Sequence, residues 1–586
     1  YVDDIPMLLY WGGDFPTEVI ESVTALKGLT GFIYGFGEPG GALSYKLKRP
    51  KAVNETIVNF GYRNPSLLSA HADVSHRVGE DFGIRANIAT EHGKAYNAAE
   101  IDRSMLSVAL DKKFGASLDW FTTVMYEKSK NTGEPFQFYL SPYDAVGSGG
   151  VLPEVTYRYD DFNVDNSFYE TETFVASTGL NWKINEQLGL KYQVGVSRKD
   201  HRSNKSFANL LNRDGDYSAG MYNFANRLDN LFSQAMLQGT LSTGGVKHEL
   251  VTGLGFQRST DRSGTYHWFD ENFTGNLYQT QPFVSVVTPD MSLGGSSNDT
   301  RQWYAFASDT LHIGERWQAI VGVRYTDYDQ RGSGYGTRKA SPTLALIYKP
   351  AAGTRVYGSY VEGLEPGTVV PTGAPPPDDY ANVNEVLPAT VSKQYEIGIK
   401  HDSDSLDLSA ALFRVDRVNQ ADERRGTDVY LTQNGLVIYQ GVELSGAFKA
   451  TRALSLGLSA VYLDAYLDKL SIGSEARPGN TPAYAAKWQG VAYAEYKLPA
   501  VPGLKLQGNV RYFGSSYTTD TNVLKVPSYR LANAGASYDF KVRGQELVLI
   551  GNVHNLFNTK YWAGGGWGSG NIGEARNYSL TLSAQF

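Results

Sequence analysis

Apolar and polar residues alternate along most of this chain. Leu504, Leu506 and Val510 alternate with polar neighbours, and the stretch from Trp317 to Tyr325 has an apolar side chain at every second position. Because successive side chains of a β-strand point to opposite faces, each such segment has one apolar face and one more polar face. The pattern therefore predicts an all-β chain.

About 22 such segments follow one another between residue 55 and the end, an even number that is typical of bacterial single-chain barrels. The connections alternate between short turns and long segments, and we predict long connections at 130–166, 203–225, 262–299, 364–391 and 561–574. Membrane barrels have short periplasmic turns and long extracellular loops. We therefore predict a transmembrane antiparallel β-barrel with both termini in the periplasm.

The composition agrees with a membrane barrel. The chain has 39 Tyr, 26 Phe and 9 Trp, and such an aromatic excess suits the two aromatic girdles of a barrel. It contains no cysteine, which removes disulfides and thiolate metal sites. No run of about 18 apolar residues occurs, so membrane helices are excluded. The net charge is −7 and no basic stripe occurs, so we expect no nucleic-acid partner.

The first fifty residues differ from the rest. Extended apolar pieces, Gly31–Tyr34 and Ala42–Tyr45, are joined by glycine-rich turns. The run from Gly35 to Gly40 satisfies the G-x-G-x-x-G pattern, but a dinucleotide site needs that loop to open a helix inside a strand–helix–strand unit. Pro39 interrupts the run and an extended segment follows, so we interpret it as a turn between two strands.

The same fifty residues resemble the second half of the plug domain of TonB-dependent outer-membrane receptors, in particular ferric-siderophore receptors of the ferrichrome-receptor type. The matching pieces are Tyr1-Val2-Asp3, Ile5-Pro6-Met7, Glu21 to Gly28, Tyr34-Gly35, Pro39-Gly40-Gly41 and Lys48-Arg49-Pro50. Ala25-Leu26, Leu29-Thr30 and Lys46 depart from the family pattern. The resemblance implies that 1–50 is the C-terminal part of a plug domain inside a barrel formed by 51–586.

Further pieces that are similar to siderophore receptors occur along the chain: Gly363–Gly367, Glu385–Pro388, Ser392–Lys400 and Asn555–Tyr561. The family's energy-coupling box and the first part of its plug are not in this sequence, which we expect to be a processed or partial product. The resemblance implies that TonB, with ExbB and ExbD, acts through that missing segment. The terminal Phe586 resembles the signal of the barrel assembly machinery. We expect a monomer in contact with outer-membrane lipid and lipopolysaccharide.

Clustered aromatic residues are the candidate substrate-binding residues. Tyr10 and Trp11 follow Ile5-Pro6-Met7, where related receptors have a plug apex loop. Loop 262–299 is rich in aromatic residues and poor in Lys and Arg, and large exposed aromatic groups point to binding or to mutual packing. These residues suit a bulky, nearly neutral chelate such as a ferric hydroxamate, whereas an anionic catecholate would require clustered Arg or Lys. The candidates are Tyr10, Trp11, Tyr266, Trp268, Phe273, Tyr278, Trp562 and Trp567.

One segment nearly matches a calcium-binding loop. Asp161, Asn163, Asp165 and Glu172 have the spacing, but Asn166 replaces the glycine of the sharp turn and no flanking helices are predicted. A polar surface loop is the alternative. The nine histidines are scattered. We expect no intrinsic cofactor and no metal centre held by the protein, with iron(III) arriving as a siderophore chelate.

The predicted function is binding of a ferric siderophore at the cell surface and its import with energy supplied through TonB, without an enzymatic step. The alternatives are import of another nutrient, such as cobalamin, a glycan or an aromatic compound, a passive pore or adhesin, and an outer-membrane enzyme. An enzyme would need a nucleophile and a base held together, and no motif indicates such a pair.

Overall fold

The computed structural model describes residues 1–7, 13–264, 267–281, 291–372, 380–566 and 568–586, with the backbone alone for 267–272. Residues 1–50, here called the lumen segment, contain a 3₁₀ helix at Thr17–Val19, strand β1 at Ile20–Lys27, helix α1 at Gly31–Tyr34 and strand β2 at Gly41–Leu47. Strands β1 and β2 pair antiparallel. No helix in the described part of the chain is long and apolar enough to cross a membrane.

The strands after the lumen segment are β3 Glu55–Arg63, β4 Leu67–Val78, β5 Phe82–Lys94, β6 Glu100–Phe114, β7 Leu118–Thr132, β8 Gln137–Tyr139, β9 Phe168–Lys183, β10 Leu188–Leu210, β11 Asp216–Thr243, β12 Val246–Ser263, β13 His267–Asn276, β14 Ser296–Ile313, β15 Trp317–Arg331 and β16 Tyr335–Ala351. A second 3₁₀ helix spans Tyr159–Phe162.

The second half of the chain contains β17 Thr354–Glu365, β18 Thr390–Asp402, β19 Leu406–Arg425, β20 Asp428–Lys449, β21 Leu454–Lys469, β22 Trp488–Lys497, β23 Leu504–Phe513, β24 Ser516–Tyr517, β25 Lys525–Val526, β26 Tyr529–Val542, β27 Gln545–His554, β28 Trp562–Gly564, β29 Ser569–Ile572 and β30 Asn577–Gln585.

Twenty-two of these strands form one closed antiparallel wall in the part of the chain that the structure describes. Strands β8, β13, β28 and β29 lie in connections between wall strands, and β24 pairs with β25 alone. The wall closes where β3 pairs with β30, in the register Phe60 to Leu582. The predicted barrel and its strand number are confirmed.

The outward face of the wall is apolar, as the alternation predicts. On β15, Val321, Val323 and Tyr325 are exposed on the outside, whereas Arg324 between them is buried on the inside. The last strand repeats the pattern, with Tyr578 and Leu580 among its exposed outward residues. Every polar backbone group of a closed sheet is paired, so this apolar band can face lipid without unsatisfied hydrogen bonds.

The lumen segment lies inside the wall, because its contacts reach inward-facing residues on strands from β4 to β20. Arg85 on β5 donates to the Arg49 carbonyl at 2.9 Å, and Ser197 on β10 donates to the Pro6 carbonyl at 2.7 Å. On other sides, Arg324 donates to the Ile33 carbonyl, the Leu29 amide donates to Gln394, and Lys27 pairs with Glu443.

Gly31–Tyr34, predicted as extended, forms one helical turn instead. The amides of Ile33 and Tyr34 both donate to the Thr30 carbonyl. The turn packs so closely on β17 that a Cβ at Gly31 would lie 2.4 Å from the Glu362 carbonyl oxygen. With left-handed glycines at 28 and 35 on both sides, the piece reverses direction instead of joining the β1–β2 sheet.

The connections on one end of the barrel are two to six residues long, as predicted, and the long connections gather at the other end, the mouth. One predicted loop, 203–225, is wrong. Strands β10 and β11 run on through it as a hairpin that turns at 211–215. Asp214-Gly215 lies in this turn, and an Asp-Gly pair is a common hairpin signal that the interpretation overlooked.

Part of the mouth is covered by a structured unit, here called the roof, formed by residues 133–167, 555–566 and 568–576. Strand β8 crosses the mouth, because it pairs with the extension of β10 on one side and with β29 on the other. The roof and the β10–β11 hairpin share one apolar core that includes Phe138, Phe162, Tyr217 and Trp562. Burial of these large side chains supplies the stabilisation that fixes the roof over the wall.

Candidate functional site

A vestibule lies between the roof and the lumen segment, and one of its walls is aromatic. Inward-facing residues of β10 and β11 form this wall with neighbours on β8 and β9. Their ring centroids follow one another at 4.5–6.0 Å, a range typical of aromatic pairs. The aromatic wall consists, from the roof downward, of Tyr139, Phe207, Tyr222, Phe224, His201 and Tyr169.

The floor of the vestibule is anchored to the same wall. Lys199 donates to the Asp14 carbonyl at 3.2 Å and to Thr173 at 2.7 Å. Gly13 has a left-handed φ of 68° and packs against Tyr169. Together with the Pro6 anchor on Ser197, these contacts tie Pro6 and Asp14 of the lumen segment to β10. The lower end of the aromatic wall therefore lies beside the upper surface of the lumen segment.

A cavity of about 620 Å³ opens above the lumen segment. Its charged side chains are two acids of the lumen segment, Asp14 and Glu38, and two bases of the wall, Lys199 and Arg417. Arg417 also pairs with Glu365 at 3.2 Å. Equal numbers of acidic and basic groups give the cavity a near-neutral lining, and its size lies within the range of small-molecule sites.

Below the vestibule, ion pairs join the lumen segment to the wall. Arg103 on β6 pairs with Glu18 of the lumen segment and with the wall residues Glu91 and Glu127. Burial acts to raise the pKa of the Glu18 carboxyl, but the hydrogen bond and charge of Arg103 outweigh it, and the pKa is lowered.

A second group of ion pairs centres on Asp73 of β4. Arg85 and Lys48 both bind this buried carboxylate, and Arg85 also reaches Glu21 at 3.3 Å. Nearby, the Arg49 guanidinium stacks over the Phe121 ring at 3.6 Å. Burial lowers the pKa of Arg49, because a buried cation loses hydration that neighbouring acids restore only in part. The lumen segment is thus held by charge on the side of β4 to β7.

Several predicted site residues fall outside the described residues, namely Tyr10, Trp11, Tyr266 and Trp567. Trp268 lies on β13 opposite Tyr222 of the aromatic wall, as the backbone register shows. Trp268 is thus a predicted site residue whose backbone lies next to the aromatic wall. The substrate-binding role of all these residues stays a prediction.

The other predicted site residues lie in or beside the roof. Trp562 is buried and donates from Nε1 to the Pro153 carbonyl at 2.7 Å. Phe273 packs against Phe136 in the roof core, and the hydroxyl of the half-exposed Tyr278 donates to the Glu154 carbonyl. In this structure these side chains contact protein, so any substrate role for Trp562 or Phe273 requires them to move or to act by supporting the vestibule.

The calcium candidate residues are engaged elsewhere. Asp161 pairs with Arg158 at 2.6 Å, and Glu172 lies on β9 and pairs with Lys128. In the described ranges, no group of three or more His, Asp or Glu side chains is arranged to hold a metal ion. The calcium hypothesis for Asp161, Asn163, Asp165 and Glu172 gains no geometric support.

Sequence reasoning missed the aromatic wall and the pair formed by Lys199 and Arg417. Tyr222 and Phe224 alternate on β11, and the Asp-Gly turn before them would have placed them on a hairpin facing Phe207. No sequence signal brings Lys199 and Arg417 together, because seven wall strands lie between β10 and β19 on the shorter way round.

Residues 119–556 match the family described as TonB dependent receptor-like, beta-barrel. The chain is 26% identical over 579 residues to the ferrichrome receptor FcuA of Yersinia enterocolitica, covering 93% of this chain and 73% of that protein. It is 23% identical over 574 residues to the ferrioxamine B receptor of Salmonella typhimurium strain SL1344, covering 93% of this chain and 77% of that receptor. Among solved structures, the ferric preacinetobactin receptor BauA of Acinetobacter baumannii superposes with a TM-score of 0.88 at 22% identity, over 97% of this chain and 86% of BauA.

Proposed function

Because this chain belongs to the TonB-dependent receptor-like β-barrel family, a family of outer-membrane barrels of Gram-negative bacteria, we propose that it binds a ferric siderophore at the mouth of the barrel and imports it. Relatives along nearly the whole chain are receptors for ferrichrome and ferrioxamine B. The mouth with its long connections then faces the medium, and both termini face the periplasm.

The observation that carries the proposal is the near-neutral cavity above an anchored lumen segment, beside which the aromatic wall begins at His201, two residues from Lys199. Aromatic faces bind bulky organic chelates through apolar contact and stacking. The cavity has no excess of basic groups, because Lys199 and Arg417 are matched by Asp14 and Glu38. A highly anionic chelate would be bound more strongly by clustered Arg or Lys. A ferric hydroxamate, whose three hydroxamate anions neutralise iron(III), suits this vestibule best.

In this proposal the lumen segment is the C-terminal part of the plug, and residues 51–586 form the barrel. TonB, with ExbB and ExbD, supplies energy through the energy-coupling box of the family. Import consists of binding and gated release, with no bond made or broken, so the protein is not an enzyme. It works as a monomer in contact with lipid and lipopolysaccharide, after insertion by the assembly machinery through Phe586.

The decisive experiment is growth of an iron-starved deletion strain, complemented with this gene, on a panel of ferric hydroxamates, ferric catecholates and cobalamin. We expect rescue by at least one ferric hydroxamate, with tight binding of the same chelate to the purified protein. Rescue that depends on TonB separates active import from a passive pore. Failure of every siderophore in both assays would refute the proposal.

A further inference from the structure

The lumen segment is attached to one side of the barrel. Its contacts reach the wall strands from β4, where Lys48 pairs with Asp73, to β20, where Lys27 pairs with Glu443. Among the described residues, none of its ion pairs or hydrogen bonds reaches β21, β22, β23, β26, β27, β30 or β3. These seven strands follow one another around the wall, so they form one continuous sector of the lumen, here called the far sector.

A groove lined by neutral amides runs along the far sector. Val510 of β23 is 50% exposed on the outward face, so its neighbour Asn509 faces the lumen. Asn533 on β26 donates to the Asn509 side chain at 3.0 Å, and Gln507 on β23 donates to the Asn552 side chain on β27 at 3.2 Å. Amides from three neighbouring strands therefore form one hydrogen-bonded surface.

The floor of this groove is low because a glycine lies in the middle strand. A Cβ at Gly535 of β26 would lie 2.4 Å from the side-chain oxygen of Asn552 and 3.0 Å from the side-chain nitrogen of Gln507. Without a side chain at Gly535, these two amides can bond across β26. The cavity above them measures about 350 Å³, which lies within the range of small-molecule sites.

The groove extends towards both ends of the lumen. On the mouth side its cavity is lined by Tyr561 and Glu574, which belong to the roof. On the opposite side it is lined by Tyr493 of β22, which also lines a second cavity of about 510 Å³. That cavity continues to Asp402 and Asp407, beside the short turn between β18 and β19. The two cavities therefore meet at Tyr493 and reach from the roof to the short turns.

We propose that the cargo crosses the barrel along this groove, while the lumen segment stays attached to the opposite side of the wall. The proposal rests on the proposed function and deepens it, because it names the part of the lumen through which the chelate is released. A route beside β4 to β7 would break buried ion pairs, including the one between Arg103 and Glu18. A route along the far sector breaks none of the contacts described for the lumen segment.

Neutral amides suit the passage of a ferric hydroxamate. Asn and Gln side chains both donate and accept hydrogen bonds, so they can bind the oxygens that such a chelate exposes. Each of these bonds replaces one to water and contributes little net affinity, which lets the chelate move from one amide to the next. The charged side chains of the 350 Å³ cavity are Arg511, Glu495 and Glu574, so its lining carries no cluster of basic groups.

The test is uptake of the chelate that supports growth, by cells that carry the protein. The chain has no cysteine, so Asn509→Cys creates a single thiol in the groove, which a bulky methanethiosulfonate can label and a reductant can restore. We expect the label to reduce the initial uptake rate at least tenfold and reduction to restore it. Binding of the chelate by the same cells without an energy source should keep its Kd within twofold.

Val510→Cys is the matched control, because the next position of the same strand carries the same label on the lipid-facing side. Its uptake should not change. Asn509→Trp should slow uptake as the label does, whereas Asn509→Ala should keep at least half of the wild-type rate, because the block is steric. Folding of each variant is checked by its faster migration in an unheated gel.

Three outcomes would overturn the proposed route while the wild-type protein imports the chelate. They are unchanged uptake after labelling of Asn509→Cys, equal loss of uptake in the labelled Val510→Cys variant, and a thiol at position 509 that does not react during uptake. Absence of uptake by the wild-type protein itself would instead refute the proposed function, so the two failures are distinguishable.

Discussion

Arg103 donates hydrogen bonds to three carboxylates, and only one of them, Glu18, belongs to the lumen segment. The remaining two, Glu91 and Glu127, come from neighbouring wall strands. Because Glu18 binds Arg103 as a carboxylate, protonation of Glu18 should weaken the attachment of the lumen segment to the wall. Single substitutions can therefore change how firmly the lumen segment is attached without changing how tightly the chelate binds, and the reverse.

Arg103→Ala should loosen β1 without opening the wall. The substitution leaves Glu18 and Glu127 buried without their cation, and breaking a buried pair costs about 3 kcal/mol, or on the order of 100-fold in an opening equilibrium. Hydrogen exchange of the β1 amides should accelerate by that factor, while β14 and β15 keep their protection. Lys183→Ala, which breaks the exposed pair with Glu186 in a short turn, is the control and should change neither.

The same pair should make the attachment pH-dependent. The folded pKa of Glu18 is lowered from its ordinary value of 4.5. A lowered carboxyl pKa contributes stability that is fully present above the ordinary value and is lost as the pH falls through the folded value. The hydrogen-exchange rate of the β1 amides, corrected for the intrinsic pH dependence of exchange, should therefore be constant from pH 7 to about pH 5 and increase below pH 4.5. A Glu18→Gln variant with the same acid response as the wild type would contradict this assignment.

Tyr222→Ala tests the aromatic wall. Removal of one central aromatic contact should weaken chelate binding by about 2 kcal/mol, or roughly 30-fold in Kd. The measurement is binding of the chelate that supports growth, by quenching of intrinsic fluorescence. Tyr395→Ala removes an outward, lipid-facing tyrosine and should leave Kd unchanged. Equal effects of the two substitutions would show that Tyr222 acts through general stability.

At the scale of elements, a strand is predicted well from the sequence when only one of its faces is polar, and poorly when both faces are buried. The wall strands between the girdles have one apolar and one polar face, so their alternation predicted them. Above the membrane, the extension of β10 is buried on both faces, since the roof covers Ala208 and Leu210 on one face and the rings of Tyr139 and Tyr222 cover Phe207 on the other. Alternation disappears there, so the pattern predicts a loop at 203–225 where the strands in fact continue. The short helix at Gly31–Tyr34 was missed because its conformation follows from close packing on β17.

The roof is held by β-pairing, hydrogen bonds and a shared core, so we expect it to stay in place during import. The chain contains no cysteine, so Tyr139→Cys with Ser569→Cys, which are cross-strand partners on β8 and β29, creates a single disulfide. Uptake by the oxidised double variant should equal uptake by the same protein after reduction. The single variants control for loss of the Tyr139 ring. Uptake that appears only after reduction would show that the roof must open.

At the scale of the whole molecule, the wall and the lumen segment have different sources of stability. The wall closes through strand pairing alone, including the β3–β30 pair, and no pairing of the lumen segment is needed for closure. The lumen segment has a two-stranded sheet too small to be stable by itself, and it is held by charged contacts with the wall and by an apolar core that Val2, Ile5, Val19 and Leu47 share with wall residues. The Lys199–Arg417 arrangement exists only because the wall closes around this segment. For that reason the alternation of apolar and polar residues predicts the barrel but not the residues that line the vestibule.

Removal of residues 1–50 should therefore leave a folded barrel with a wider pore. A 22-stranded barrel encloses a broad lumen, and the lumen segment fills part of it. The shortened protein should still migrate as a folded barrel in an unheated gel, and its single-channel conductance in planar bilayers should exceed that of the chain with residues 1–50 several-fold. The Arg103→Ala variant is measured as well. Because its lumen segment is attached more loosely, its conductance should rise briefly toward that of the shortened protein. Equal conductance of all three proteins would mean that the segment does not obstruct the lumen, and the assignment of 1–50 to the plug would fail.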